Sequence, residues 1–233
     1  GRRPAPAADH EISPARVRGA LHGETADLGD ATSHHQGITE TAQPPVPIDV
    51  AATGPRVTAI AARHADRVTF AVRADPARLR DTISLVRSQR EDAELDPAGI
   101  SVGAYVNAVA HPEVEVARAI ARGSTASFAH FSGMPGAPPA DGPDAAVFEA
   151  VGRDYDMAGH ATAAAPHAAA LPDEFIDRFA VAGPSEHCVT RLSELIEAGA
   201  ERLVLVPGSR DANQGELITS MGRLATEVLP RLR

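Results

Sequence analysis

Hydrophobic and polar residues follow a regular pattern from Val46 onward, beginning with the segment PVPIDVAATGP. Alternating apolar residues over 47–52 predict a strand, and Gly54-Pro55 then opens a helix. The apolar side of this helix carries Val57, Ile60, Ala61 and His64. Val68 and Phe70 follow as the next strand. The order strand, tight turn, helix and strand predicts a βαβ unit, whose turn can present backbone N–H groups to an anion.

The same pattern continues along the chain. Further strands are predicted at 67–72, 101–109 and 202–206, each followed by a helical pattern. The third strand shows the clearest alternation, and its apolar side comprises Ile100, Val102, Ala104, Val106 and Ala108. Before the fourth strand, Gly183-Pro184 opens a helix and Gly199 ends it.

Two other stretches lack this regularity. The weak periodicity of residues 1–45 predicts an irregular linker with one short helix, so we assign the ordered unit to 46–233. Residues 131–182 are rich in Pro, Gly and Ala and too long for an ordinary strand-to-helix connection. They predict a lid or an inserted helical segment.

Strands that alternate with helices predict an α/β fold with a parallel sheet. Four such units make half of a (β/α)8 TIM barrel, strands 5–8, and leave two unpaired edges. An open doubly wound sheet is the other arrangement, but it normally carries a GxGxxG turn, which is absent here. The start at Gly1 and the missing fingerprint favour the C-terminal half of a barrel, truncated or encoded by a split gene.

Composition excludes several functions. The net charge is −9 and all 22 basic residues are arginine, which argues against nucleic-acid binding and excludes lysine-based Schiff-base and P-loop chemistry. The one cysteine, Cys188, rules out an intrachain disulfide. The sequence has no apolar run of membrane-spanning length, so we expect a cytoplasmic protein without a membrane partner. His34-His35 with Asp27 and Asp30 are predicted to be a solvated loop, and no metal site is expected.

Several segments together resemble the luciferase-like monooxygenase superfamily, and in particular its methylenetetrahydromethanopterin-reductase-like, flavin- or deazaflavin-dependent oxidoreductases. The segments that carry the resemblance are PVPIDVAATGPRVTAIAARHADRV, DPARLRDTISLVRSQR, VNAVAHPEVEVAR and FAVAGPSEHC…LIEAGAERLVLV. The likeness covers roughly 46–233. In that family the first four strands hold the usual catalytic His or Glu, so the resemblance implies no catalytic residue in this chain.

The resemblance implies a cofactor, either FMN or a deazaflavin (coenzyme F420), with its phosphate at Ala52, Thr53 and Gly54. A second candidate segment is Val72, Arg73 and Ala74, where Arg73 would supply a guanidinium clamp or would be a solvated loop residue.

His64 and Cys188 are predicted to be packing residues, whereas His130 is a candidate for lining a substrate pocket.

The resemblance implies an oxidoreductase that performs hydride transfer or monooxygenation on a small organic molecule. The alternative is a non-catalytic fragment or a half-barrel that pairs with a second chain. In either case the apolar surfaces of a half-barrel predict a homo-oligomer or pairing with another chain.

Overall fold

A parallel sheet, covered by helices on one face and on part of the other, forms the centre of the protein. The computed structural model describes residues 7–21, 23–27, 32–33, 46–71, 73–133 and 144–232. The strands are β1 (Ala26–Asp27), β2 (Thr32–Ser33), β3 (Asp49–Ala52), β4 (Arg67–Phe70), β5 (Ser101–Ala110), β6 (Val181–Gly183) and β7 (Arg202–Val206). The helices are α1 (Ala7–Leu21), α2 (Pro55–His64), α3 (Pro76–Asp92), α4 (Val114–Ser132), α5 (Asp144–Asp154), α6 (Pro166–Ala169), α7 (Asp173–Phe179), α8 (Ser185–Glu197) and α9 (Gln214–Arg223). Shorter helical turns lie at Met157–Gly159, Leu224–Val228 and Leu229–Arg231.

Every pairing in the main sheet is parallel, as the alternation of strands and helices predicted. β3 pairs with β4, and β5 pairs with β4, β6 and β7. The only antiparallel pair in the described ranges joins the two-residue strands β1 and β2 outside this sheet. The four predicted strands are thus confirmed, although β3 and β4 are shorter than 47–52 and 67–72.

One strand was not predicted. β6 lies partly within the stretch 131–182 that was interpreted as an insertion, and it pairs with Ala108–Ala110 at the end of β5. Three residues are too few to show an alternating pattern, which is why the sequence did not reveal this strand.

One face of the sheet packs against α2, α3 and α8. Its buried side chains include Val68, Phe70, Val102, Leu79 and Leu192, which belong to one hydrophobic core. Gly199 has φ +110°, a left-handed conformation that favours glycine and ends α8 as predicted.

The opposite face is polar at the amino ends of the strands. Arg202 Nη2 lies 3.3 Å from Asp49 Oδ2 and 3.2 Å from Thr69 Oγ1, and Arg202 also donates to Ser101 Oγ. These contacts satisfy the polar groups of four strands within one layer.

A second layer covers the same face at the carboxyl ends of the strands. Helices α4 to α7, which we call the cap, share a hydrophobic core with Val109 that contains Ile120, Val151 and Phe175. The rings of Tyr105 on β5 and Phe128 on α4 lie 6.4 Å apart in an edge-on contact. The cap therefore lies against the end of the sheet where α/β proteins of this type build their sites.

Candidate functional site

The first candidate segment begins where β3 ends. Ala52 is buried, and its carbonyl oxygen accepts a hydrogen bond from Ala71 N at 3.0 Å, which joins the ends of β3 and β4. Thr53 and Gly54 follow and are half-buried. Gly54 is the N-cap of α2 with φ −122° and ψ 163°, extended backbone that the following proline favours. The backbone at Gly54 is therefore unstrained, and only the close approach of a ligand would require glycine at this position.

The start of α2 differs from the other helix starts that follow strands in the described part of the chain. α3 is capped by Asp75, which accepts from Ala77 N and Arg78 N. The first turns of α4, α8 and α9 each contain a glutamate, and Asn213 also caps α9. The first turn of α2 has neither a side-chain cap nor an acidic residue. Because the first N–H groups of a helix have no partner within it, α2 offers donors and a positive dipole end to an anion.

The second candidate segment is already engaged with other parts of the protein. Arg73 Nη1 donates to Asp144 Oδ2 at 2.8 Å. Ala74 N donates to Phe179 O at 2.9 Å, and Ala74 O accepts from Arg191 Nη2 at 2.6 Å. The N–H and C=O groups of Ala74 thus both have hydrogen-bond partners within the protein. The Arg73 guanidinium group is paired with the Asp144 carboxylate. Val72 lies outside the described residues.

Two buried polar side-chain atoms, one on β5 and one on α4 of the cap, lack hydrogen-bond partners in the described part of the chain. Asn107 Oδ1 on β5 and Thr125 Oγ1 on α4 are buried, and neither has a hydrogen-bond partner among the described residues. Both residues are almost completely inaccessible. Asn107 lies on the sheet and Thr125 in the cap, and the sequence analysis singled out neither residue.

Three histidines and a tyrosine form a cluster in the cap. The His130 ring stacks on Tyr155 with centroids 3.6 Å apart, and Tyr155 also contacts His167 at 4.4 Å. Tyr155 Oη lies 2.5 Å from His160 Nδ1. Burial, followed by the neighbouring His167 and His160, lowers the pKa of His130. Burial likewise lowers the pKa of His167, against a smaller opposing effect of Asp156. Both rings are therefore neutral at pH 7.

His111, directly after β5, is a buried polar residue at the carboxyl edge that the sequence reasoning did not single out. Its Nε2 lies 3.2 Å from Glu216 Oε2, and its Nδ1 accepts from Glu113 N at 3.0 Å. His111 Nδ1 also lies 3.1 Å from Glu113 O, so both ring nitrogens have polar partners. The pair fixes the end of β5 to α9. Its only sequence signal is the position of His111 immediately after a predicted strand.

Other candidates behave as packing residues or fall outside the described ranges. Cys188 is fully buried, and burial raises the pKa of its thiol to about 11, opposite to the effect of a helix N-terminus. His64 is half-buried near the end of α2, and its carbonyl oxygen accepts from Arg18 Nη2 at 3.0 Å. His34, His35 and Asp30 lie outside the described residues.

Among the residues that the structure describes, no three His, Cys, Asp or Glu side chains converge as a metal ion would require. None of the helices in the described part of the chain is both long and apolar enough to cross a membrane.

Solved structures share this fold at low sequence identity. The chain is similar to a coenzyme F420-dependent tetrahydromethanopterin reductase from Methanopyrus kandleri, with TM-score 0.64, 17% identity, and coverage of 100% of this chain and 65% of that one. It is also similar to an F420-dependent secondary alcohol dehydrogenase, with TM-score 0.67, 17% identity, and coverage of 100% and 64%. A monooxygenase from Streptomyces bottropensis gives TM-score 0.59, 18% identity, and coverage of 96% and 60%.

These likenesses confirm the predicted fold, a partial luciferase-like barrel. The chain spans slightly less than two thirds of the length of the first two structures. A search of curated proteins found no match. The model of the family described as luciferase-like monooxygenase matches residues 15–202. The resemblance inferred from the sequence segments is confirmed, and the chain belongs to the luciferase-like monooxygenase family.

Proposed function

We propose that this chain is part of an oxidoreductase that uses FMN or a deazaflavin of the F420 type on a small organic substrate. The reaction would be hydride transfer or monooxygenation. Two solved structures with the same fold are described as F420-dependent, which supports a deazaflavin, and another is described as a monooxygenase, which supports monooxygenation. Membership of the family supports an oxidoreductase. The residues at the start of α2 support a binding site for the cofactor phosphate.

The observation that carries the proposal is the uncapped start of α2. It lies at the carboxyl edge of a parallel sheet, and its first turn contains no carboxylate that would repel or replace a phosphate. The neighbouring helix α3 begins at the same edge, but Asp75 already occupies its N–H groups. The residues present therefore fit a phosphate at α2 better than at α3.

Each residue of the first segment has a distinct part in this arrangement. Ala52 is buried and small, so it closes the bottom of the turn. Thr53 offers a hydroxyl group, and Gly54 lets the backbone approach the phosphate because it has no side chain. The cofactor, when bound, supplies the two-electron chemistry. The cap over the carboxyl edge would exclude water from the reacting atoms.

The proposal predicts that the chain binds FMN at least tenfold more tightly than riboflavin, which lacks the phosphate. Gly54→Val should remove most of this difference, because the added side chain keeps the phosphate away from the first N–H groups of α2. Fluorescence titration of both ligands, and of F420, against the natural chain and the variant measures the effect.

Gly152→Val is the matched control, since a Cβ at Gly152 on α5 would meet no atom within 4 Å. This variant should keep the preference for FMN. The placement of the phosphate would be contradicted if the natural chain bound FMN and riboflavin with equal affinity and bound F420 no more tightly than riboflavin.

A second candidate function is that of a non-catalytic half-barrel that pairs with another chain. The sheet face opposite α2 and α3 supports it, because Val204 in the middle of β7 is 39% exposed and Asp49 and Ala51 are also exposed. Among the described strands, β3 pairs only with β4 and β7 only with β5, so both edges have free backbone groups.

This alternative predicts a species heavier than 24.2 kDa in size-exclusion chromatography with light scattering. Val204→Glu should shift it toward the monomer, because a charge in the middle of the face opposes apolar contact. Ile218→Glu on α9, where Ile218 is 66% exposed, is the control and should leave the mass unchanged. A monomer that binds flavin saturably would exclude the alternative.

A further inference from the structure

One histidine of the cap is completely buried and accepts a backbone hydrogen bond. His167 lies on the short helix α6, and its Nδ1 accepts from Asp156 N at 3.3 Å. The proton of the neutral ring is therefore on Nε2, which is buried and has no hydrogen-bond partner among the described residues. A second proton would have to bind Nδ1. It would replace the bond from Asp156 N and leave a positive charge in the core of the cap.

Tyr155 connects this histidine to two others. The Tyr155 ring centroid lies 4.4 Å from that of His167 and 3.6 Å from that of His130, and Tyr155 Oη lies 2.5 Å from His160 Nδ1. His130 Nδ1 is also buried without a partner in the described part of the chain. Because His130 lies on α4 and the other three residues lie within 155–169, which we call the latch segment, the stacked rings join this segment to α4.

Burial and mutual repulsion oppose protonation of these rings. Burial, followed by His167 and His160, lowers the pKa of His130. Burial is also the main cause of the lowered pKa of His167, and His160 acts in the same direction. Asp156 opposes this effect, but it is exposed and its influence is smaller than that of burial. A proton on either ring therefore costs free energy that it does not cost in water.

The charged residues on the elements around the cluster are already paired. At the end of α5, Asp154 Oδ1 lies 3.1 Å from Arg153 Nε, and both residues are exposed. In the loop after β7, Arg210 donates to His160 O and brings another positive charge to the segment. Asp211 of the same loop accepts from backbone N–H groups of the latch segment. These carboxylates are thus engaged elsewhere and do not compensate a charge on the buried rings.

The latch segment also carries backbone strain. Ala161 has φ +60°, in the left-handed region that residues with a side chain rarely adopt. Ala161 N donates to Ser127 Oγ on α4 at 2.9 Å, and Ala161 O accepts from Arg210 N at 2.8 Å. Separation of the segment from α4 would break the first of these bonds and relieve the strain.

We propose that His167 and His130 form a pH-sensitive lock, whose neutral rings hold the latch segment against α4 and whose protonation releases it. A charged ring is favoured where it reaches water, so the released segment binds protons more tightly than the closed one. The closed state has its full stability above pH ~6.5, the ordinary pKa of histidine, and loses it as the pH falls below that value. Release would open one side of the carboxyl edge of the sheet, and it does not depend on the proposed cofactor.

The test is hydrogen exchange of the full chain at about pH 7.5 and about pH 5, with rates corrected for the intrinsic pH dependence of exchange. Protection of the latch-segment amides should fall roughly tenfold or more on acidification. One histidine that is neutral when closed and has an ordinary pKa when released contributes up to about 30-fold over this interval. The amides of β5 at 102–106 should lose much less protection, because the sheet stays folded when the segment opens.

His167→Asn tests the residue itself. Asparagine offers an oxygen near the position of Nδ1 and cannot become charged, so most of the acid effect on the latch segment should disappear. His187→Asn is the matched control, because His187 is exposed on α8 outside the cap, and this variant should keep the full effect.

Three results would overturn the proposal. They are equal protection of the latch segment at both pH values, an equal loss of protection in β5, and an undiminished acid effect in folded His167→Asn. Should that variant not fold, a nitrogen-15 NMR titration of the natural chain decides the question. The His167 ring must carry its proton on Nε2 and titrate below pH ~6.5, and an ordinary histidine titration would equally exclude the lock.

Discussion

Gly123→Ala is expected to lower the free energy of unfolding by about 3 kcal/mol, at the upper end for an overpacked site. A Cβ at this position of α4 would lie 2.4 Å from Thr162 C and 2.5 Å from Ala163 N, both of them backbone atoms. The opposing segment cannot move away easily, because Asp211 accepts hydrogen bonds from Ala163 N at 2.7 Å and from Ala164 N at 3.0 Å.

Gly152→Ala provides the matched control for this substitution. It also lies within a helix, but its surroundings are open, so alanine should increase stability by roughly 0.5–1 kcal/mol. Urea unfolding of both variants against the natural chain measures the difference. Similar stabilities for the two variants would show that α4 does not pack closely against 161–164.

This close packing matters for the proposed site because it fixes the cap to the carboxyl edge. Gly123 N donates to Ser209 Oγ at 2.9 Å, and Ser209 lies in the loop after β7. Arg210 N donates to Ala161 O at 2.8 Å. Helix α4, the segment 161–164 and the β7 loop therefore form one connected wall beside the ends of the strands. A ligand at this edge would meet a wall held by backbone and side-chain hydrogen bonds.

The sheet and its covering helices were predictable because their signals are local. The alternation in β5 and the residues Gly54-Pro55, Gly183-Pro184 and Gly199 each act within a few positions of the element they define. Sequence alone also indicated the turn at Thr53-Gly54, since a strand that leads directly into a helix places that turn at the carboxyl edge.

The organisation of the cap was not predictable in the same way. Segments rich in Ala, Gly and Pro carry weak periodicity, and helices α5 to α7 are stabilised mainly by packing on α4. The contact between Arg73 and Asp144 spans 71 residues of sequence. No local pattern connects two such positions, so the sequence left Arg73 either as a ligand clamp or as a solvated residue. The structure shows a third arrangement, an internal ion pair.

Phe175→Ala is expected to lower the free energy of unfolding of the cap by about 3–5 kcal/mol. Phe175 on α7 is fully buried, stacks on Phe179 with centroids 5.1 Å apart, and meets the edge of Phe148 at 5.5 Å. Truncation would leave a cavity in the hydrophobic core of the cap, which is separate from the core between the sheet and helices α2, α3 and α8.

Because the cores are separate, the effect should be local. Hydrogen exchange should accelerate in α4 to α7 while the amides of β5 at 102–106 keep most of their protection. Leu192→Ala on α8 is the matched control, since Leu192 is fully buried in the other core and its loss should accelerate exchange in the sheet as well. Equal acceleration of cap and sheet in Phe175→Ala would mean that the two cores unfold together. In that case the cap could not open to admit a ligand while the strand ends and the start of α2 remained in place.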